Sequence, residues 1–203
     1  MNIDRDLQKH SREFAAALRN HQYEVSDAGI HFPKQGVTAR GAYVHDVNGQ
    51  DEIEDHNILT VEGMNHMLNV TLDSTTTKLG TFYFGLFGNN VTPVDTWVAA
   101  TWAGVGVASE FVSNTEGYSE TTRPAFVESA AAARSINNTA SKAAFTIATG
   151  TAVVVWGAAL CSSNVKGGTT GTLMSAAKFS ASRTLYPSDT FNLGYTLTLS
   201  NPA

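Results

Sequence analysis

The chain has 203 residues, 42% of them hydrophobic, and a formal net charge of -5. No apolar run is long enough to span a bilayer, which predicts one soluble domain with an appendage and no membrane contact. Lys and Arg are scattered along the chain, so we expect no nucleic-acid partner. The single cysteine, Cys161, excludes an intramolecular disulfide framework and a cysteine-rich zinc site.

Residues 1–38 are predicted to form an N-terminal arm. The opening MNIDRDLQKHSREF is polar where a secretory signal would be apolar, so no export signal is expected. Residues 3–20 predict an amphipathic helix with one narrow apolar stripe, formed by Ile3, Leu7, Phe14 and Leu18. Such a stripe cannot hold a helix alone, so the helix must lie on its own chain, a neighbouring copy or a larger assembly.

The connector over residues 21–38 contains Gly29, Pro33 and Gly36 and is predicted to be extended. The remaining residues, 39–203, form the predicted β-rich body. The side chains of the arm that we expect to bind a partner are Leu7, Phe14, Leu18, Tyr23 and Phe32.

The body begins with a predicted β-hairpin. Residues 42–47 and 50–58 are the two strands, and Asn48-Gly49 between them is a pair that tolerates the positive φ of a two-residue turn. The acidic residues of the returning strand predict a solvated sheet edge; they are Asp51, Glu52, Glu54 and Asp55. A metal site is the weaker alternative, because the glycine is misplaced for a calcium loop and His45, His56 and His66 lack zinc-ligand spacing.

A short helix is predicted to follow the hairpin. Thr60 can cap it, and apolar residues recur at three-and-four spacing, which we interpret as its buried face; these are Val61, Met64, Leu68 and Leu72. His66 lies off this stripe and is expected to be solvated.

The rest of the chain alternates short β-prone segments with loops rich in Gly, Asn and Ser, which predicts a mainly β fold of sandwich or jelly-roll type. The predicted strands are residues 81–87, 126–129, 143–149, 151–162, 172–182 and 190–200. The last strand alternates with period two, which predicts one buried face. Residues 152–160 are apolar on both faces, so that strand should be central or covered by a neighbouring subunit. Trp97 and Trp102 are interpreted as core anchors, with interface anchors as the weaker alternative.

No reaction centre is visible in the sequence. There is no GxSxG elbow, and Cys161 lies in an apolar strand where a thiol is usually inert. An enzyme would have to use the acidic loops between 110 and 128, whose carboxylates are Glu110, Glu116, Glu120 and Glu128. We therefore predict no catalytic, metal or cofactor site and a protein that is not an enzyme.

The run GAYVHDVNGQDEIEDHNILTVEGMNHMLNV resembles the hairpin and helix of small virion structural proteins of tailed bacteriophages. The runs FYFGLFGNNVTPVDTW, EGYSETTRPAF, WGAALCSS, KGGTTGTL and YPSDTFNLGYTLTLS follow in the order that such proteins show, so the resemblance covers about residues 40–200. It implies a structural role in the virion, either on the head or on the tail, and implies no catalytic residues.

Together these observations predict a head decoration or cement protein, assembled in the host cytoplasm, whose arm docks on neighbouring capsid subunits. The expected partners are the major capsid protein or other virion proteins, with self-association of three copies around a symmetry axis. The alternative is a tail- or neck-associated adhesin that binds host glycans through loops near Trp97, Tyr118 and Asn137.

Overall fold

The computed structural model describes the short strands 24–26 and 29–31 and the continuous segment 37–200. The chain divides into two compact units, Arg40–Thr198 and Met1–Ala39 with Leu199–Ala203. In the smaller unit, β1 (Glu24–Ser26) pairs antiparallel with β2 (Gly29–His31). The predicted connector therefore contains two paired strands, whereas the predicted helix over residues 3–20 lies outside the described residues.

The rest of the described chain is mainly β, with two antiparallel sheets and one α-helix. The elements are β3 (Thr38–Val47), β4 (Gln50–His56), β5 (Ile58–Leu59), α1 (Val61–Leu72), β6 (Tyr83–Phe87), β7 (Gly117–Tyr118), β8 (Ser135–Asn137), β9 (Ala143–Ala148), β10 (Val153–Cys161), β11 (Leu173–Leu185) and β12 (Thr190–Ser200), with a 3-10 turn at Thr139–Ser141. One sheet has the strand order β5-β11-β10-β6, and the other has the order β4-β3-β12-β9-β7 with β8 beside β12.

Side chains from both sheets share the main core. Its buried residues include Phe84 of β6 and Phe179 of β11 from one sheet, and Tyr43 of β3 and Phe145 of β9 from the other. The predicted alternation of β12 is confirmed, because Phe191, Leu193 and Tyr195 are all buried in this core. Burial of such large side chains supplies most of the free energy that holds the sheets together.

The prediction that residues 152–160 form a central strand is confirmed, because β10 lies between β11 and β6. One face of β10 contributes Val155, Ala158 and Leu160 to the main core. Its other face contributes Ala159 and Cys161 to a second cluster with Phe87, Ala99, Trp102, Ala108, Leu173 and Ala176. Trp102 is fully buried there, as predicted, and Trp97 is half-buried against the same cluster. Both faces of β10 are therefore covered without a neighbouring subunit.

The predicted hairpin is confirmed in β3 and β4, with Asn48 at φ 54° and Gly49 at φ 77° in the turn. Two details were wrong. Asp55 is buried and is not part of the solvated edge, because its carboxylate accepts hydrogen bonds from the ring of His45 and the N–H of Ser180. The predicted strand 126–129 does not form: Phe126 is buried and donates its N–H to the Phe82 carbonyl, but regular pairing does not continue beyond it.

The predicted helix forms as α1, and Thr60 caps it by accepting the N–H of Gly63 at 3.0 Å. The predicted buried face was wrong, because Val61, Met64, Leu68 and Leu72 are all exposed. Gly63 is the residue of α1 that is fully buried, and a Cβ there would lie 2.4 Å from the Met174 carbonyl oxygen. This close backbone approach turns the opposite side of α1 towards the core.

Candidate functional site

The five residues predicted to bind a partner lie outside the described residues: Leu7, Phe14, Leu18, Tyr23 and Phe32. Their role stays a prediction. Among the described residues of the body, one apolar surface and two buried polar clusters stand out.

The apolar surface is the outward side of α1. Val61 is 44% exposed, Met64 37%, Leu68 58% and Leu72 81%, and we call these four residues the α1 stripe. They recur at three-and-four spacing over the whole helix, so they form one continuous row. An exposed apolar row of this kind is unusual on a surface that faces only water, and such patches are often binding sites.

The α1 stripe carries no charged side chain. Glu62, the one acidic residue of the helix, points inward, and its carboxylate accepts the N–H groups of Ala99 at 2.8 Å and Leu173 at 2.7 Å. Exposed carboxylates lie beyond both ends of the helix, at Asp95 and Asp73. The N–H of Thr75 donates to Asp73 and keeps the pKa of that carboxyl below its usual value, so it stays ionised.

The inner side of α1 is incompletely packed. A cavity of about 210 Å³ lies behind the helix, lined mostly by apolar side chains that include Met67, Phe82, Phe126, Met174 and Leu197. His66, which was predicted to be solvated, is half-buried at this cavity, with its ring centroid 6.2 Å from that of Phe82. The helix is held firmly by its first turn and more loosely along the rest of its length.

The first polar cluster centres on an ion pair between Glu110 and Arg123. Both side chains are buried, and the guanidinium donates two hydrogen bonds of 2.6 Å to the carboxylate. Arg123 also donates to the Ser163 carbonyl and the Cys161 sulfur, and it lies 5.0 Å from the centre of the Trp102 ring. A buried ion pair whose charged groups are hydrogen-bonded in this way holds the loops that carry it in fixed positions.

The second polar cluster centres on His45, which is fully buried and stacks on Phe179 with 3.9 Å between ring centroids. Nε2 of His45 lies 2.9 Å from the Asp55 carboxylate, and Arg183 donates to Nδ1 at 3.2 Å. Since Nδ1 accepts from Arg183, the imidazole is neutral and donates from Nε2 to Asp55. Burial lowers the pKa of His45, and the cation of Arg183 adds to this, while the hydrogen bond to Asp55 opposes it.

We expect this histidine to make the protein less stable as pH falls below about 6.5. Because the folded pKa of His45 lies below that of the unfolded chain, the unfolded state takes up the proton first. The free energy of unfolding, measured by urea titration between pH 7 and pH 5, should fall in the wild type. The fall should be smaller in His45→Gln, whose amide can replace both hydrogen bonds without titrating. Equal slopes in the two proteins would contradict this assignment.

Contacts within the protein engage Cys161 and three of the four carboxylates of the acidic loops. Burial raises the pKa of Cys161 to about 11, so its thiol is protonated at neutral pH. Glu116 accepts hydrogen bonds from Thr149 and Gly150, and Glu120 accepts the N–H of Thr146. Glu110 is buried against Arg123. These carboxylates bind the protein's own backbone and side chains.

Within segment 37–200, no group of three or more His, Cys, Asp or Glu side chains is arranged to hold a metal ion. The residues suggested for an adhesin do not form an aromatic face, because Tyr118 is buried beneath Lys166 and Trp97 packs against Phe87. Among the described residues, no helix is both long and apolar enough to cross a membrane.

Comparison with known proteins gives no matching family model and no matching curated protein. The sequence indicates the apolar row of α1, but neither its exposure nor the two polar clusters could be assigned from sequence, because each depends on how distant segments meet.

Proposed function

We propose that the protein is a non-enzymatic structural protein of a tailed-phage virion that decorates and cements the capsid. Its N-terminal arm docks on neighbouring capsid subunits, while the body lies on the outer surface of the shell. The two sheets of the body form a β-sandwich of jelly-roll type. The partners are the major capsid protein or other virion proteins, together with further copies of this chain.

The observation that carries this proposal is the division of the chain into Met1–Ala39, with the last five residues, and Arg40–Thr198. The first segment contains the amphipathic pattern of residues 3–20, whose stripe needs a partner. A compact body joined to a segment with its own apolar stripe suits a protein that binds by an arm. Burying that stripe between neighbouring subunits would stabilise the shell by mass action.

The buried polar clusters of the body support a structural role. The Glu110–Arg123 pair joins the segment that covers β10 to the loop containing Ser163. The carboxylate of Glu110 also accepts the N–H of Gly167 at 2.7 Å. These charged groups hold loops in fixed positions. Such fixed loops suit a body that must keep its fold under mechanical stress on the capsid.

The proposal predicts that the arm stripe is required for capsid binding. In the full-length chain, Leu7→Asp with Phe14→Asp should reduce the affinity for purified capsids by at least about 100-fold, since two buried apolar anchors are replaced by charges. Binding is measured by co-sedimentation of labelled protein with capsids over a concentration series.

The matched control is Gln8→Asp with Ala16→Asp, which adds the same charge on the other side of the predicted helix. This control should bind within about threefold of the wild type, because it leaves the apolar contacts in place. Equal binding by the stripe variant and the wild type would refute docking through the arm. Absence of binding by the wild type would refute the capsid as partner.

A further inference from the structure

The α1 stripe is a surface that the proposed contact with capsid protein does not explain. It runs along the whole of α1, about 17 Å between the first and the last of the 12 residues from Val61 to Leu72. The stripe of the predicted arm helix, from Ile3 to Leu18, would be about 22 Å long at the same rise per residue. Two narrow apolar rows of similar length and spacing are suited to pack against each other.

Charge favours the arm over a second body as the occupant of the α1 stripe. Residues 37–200 contain 13 acidic and eight basic side chains, so two bodies repel each other. Residues 3–20 contain three acidic and four basic side chains, so their net charge is +1 and opposite in sign to that of the body. The exposed carboxylates Asp95 and Asp73, beyond the two ends of α1, add negative charge around the α1 stripe.

The area of the contact also favours the arm. Four partly exposed side chains on each of two α1 helices cover only a few hundred Å² per copy, which is small for a stable symmetric dimer. An arm helix that lies along α1 adds the area of its own stripe, and the chain between residue 20 and residue 37 connects it covalently to a second body. Each copy then gives one arm and receives one, which doubles the buried area per subunit.

We propose that the α1 stripe is the docking site for residues 3–20 of a second copy of this chain. The inference rests on the proposed function, because it takes from it an arm that reaches neighbouring subunits. The subunit that buries the stripe of residues 3–20 is then a second copy of this chain, and Tyr23 and Phe32 of the arm are left for the contact with capsid protein. Giving and receiving surfaces differ, so the contact is heterologous, and a threefold axis relating three copies would close it into a ring. The docked arm also holds α1 against the cavity behind it.

The first test is a disulfide trap between separately purified full-length variants. Phe14→Cys carries one affinity tag and Leu68→Cys another, and the native Cys161 is buried and stays unreactive. Mild oxidation of the mixture should give a disulfide between the two differently tagged chains. Its yield should exceed that from Ala16→Cys with Leu68→Cys on the order of tenfold, because Ala16 lies on the far side of the predicted arm helix.

Two outcomes of the trap overturn the proposal. One is a yield equal to that of the Ala16→Cys control. The other is a disulfide formed mainly between two Leu68→Cys chains, which would place α1 against α1. Because the experiment contains no capsids, failure of the virion role does not affect its result.

The second test is the oligomeric state. By sedimentation velocity, Leu68→Asp with Leu72→Asp should dissociate on the order of 100-fold more readily than the wild type. The matched control, Val105→Asp with Val127→Asp, changes exposed valines outside α1 and should sediment like the wild type. A wild type that is monomeric at tens of micromolar, or an α1 variant that remains oligomeric, contradicts the proposal.

Discussion

Arg123→Met should lower the free energy of unfolding by about 3–5 kcal/mol, because it leaves the buried carboxylate of Glu110 without its counter-charge. The N–H of Gly167 would remain as a partner of that carboxylate, but one amide donor cannot replace a guanidinium that donates two hydrogen bonds. Urea unfolding followed by tryptophan fluorescence measures the loss, and Trp102 beside Arg123 is a suitable reporter.

Two further variants separate the lost charge pair from lost packing. Arg40→Met, at an exposed arginine, should change the stability by less than about 0.5 kcal/mol. The double variant Glu110→Met with Arg123→Met removes both charges and should be clearly more stable than Arg123→Met alone. If Arg123→Met unfolds like Arg40→Met, the ion pair does not hold these loops.

Asp55→Ala should lower the free energy of unfolding by about 2–5 kcal/mol, since it leaves two buried donors without an acceptor. One is Nε2 of His45, and the other is the N–H of Ser180, which donates to the second carboxylate oxygen at 2.7 Å. Asp55 thereby joins β4 to β11, which belong to different sheets.

The neighbouring Glu54→Ala is the matched control for Asp55→Ala. Glu54 lies on the same strand and is exposed, so its loss should change stability by less than about 0.5 kcal/mol. Thermal unfolding of both variants at pH 7.5, above the titration range of His45, isolates the hydrogen bonds. Similar melting temperatures would show that Asp55 is dispensable.

Local patterns in the sequence were sufficient to predict several strands. Asn48-Gly49 specifies the hairpin turn because few other pairs accept positive φ at both positions. The two-sided apolar pattern of β10 predicts a central strand, and the alternation in β12 predicts its buried face. Each of these signals is contained within about ten residues, so no tertiary information was needed.

The orientation of α1 could not be predicted in the same way. Its apolar spacing indicates an apolar row but does not say whether the row faces this chain or another one. Three contacts with distant segments decide this: Thr60 donates its hydroxyl to the Leu173 carbonyl, Glu62 accepts from Ala99 and Leu173, and Gly63 lies against Met174. The first turn is thereby fixed with the α1 stripe pointing outward.

The two polar clusters could not be predicted either, because their members are distant in sequence. Arg183 and His45 are 138 residues apart, and Gly167 and Glu110 are 57 apart. In a linear sequence, Glu110 and Asp55 resemble any acidic residues of a loop or a strand edge. Only the fold buries them and pairs them.

We propose that this chain acts by docking its arm on neighbouring subunits of a virion shell. Cryo-electron microscopy of virions whose copies of this chain carry a C-terminal tag would locate both the body and the arm. We expect tag density repeated over the head lattice, with residues 1–38 traced onto adjacent subunits. Tag density confined to the tail, or an arm folded entirely on its own body, would refute docking on the shell.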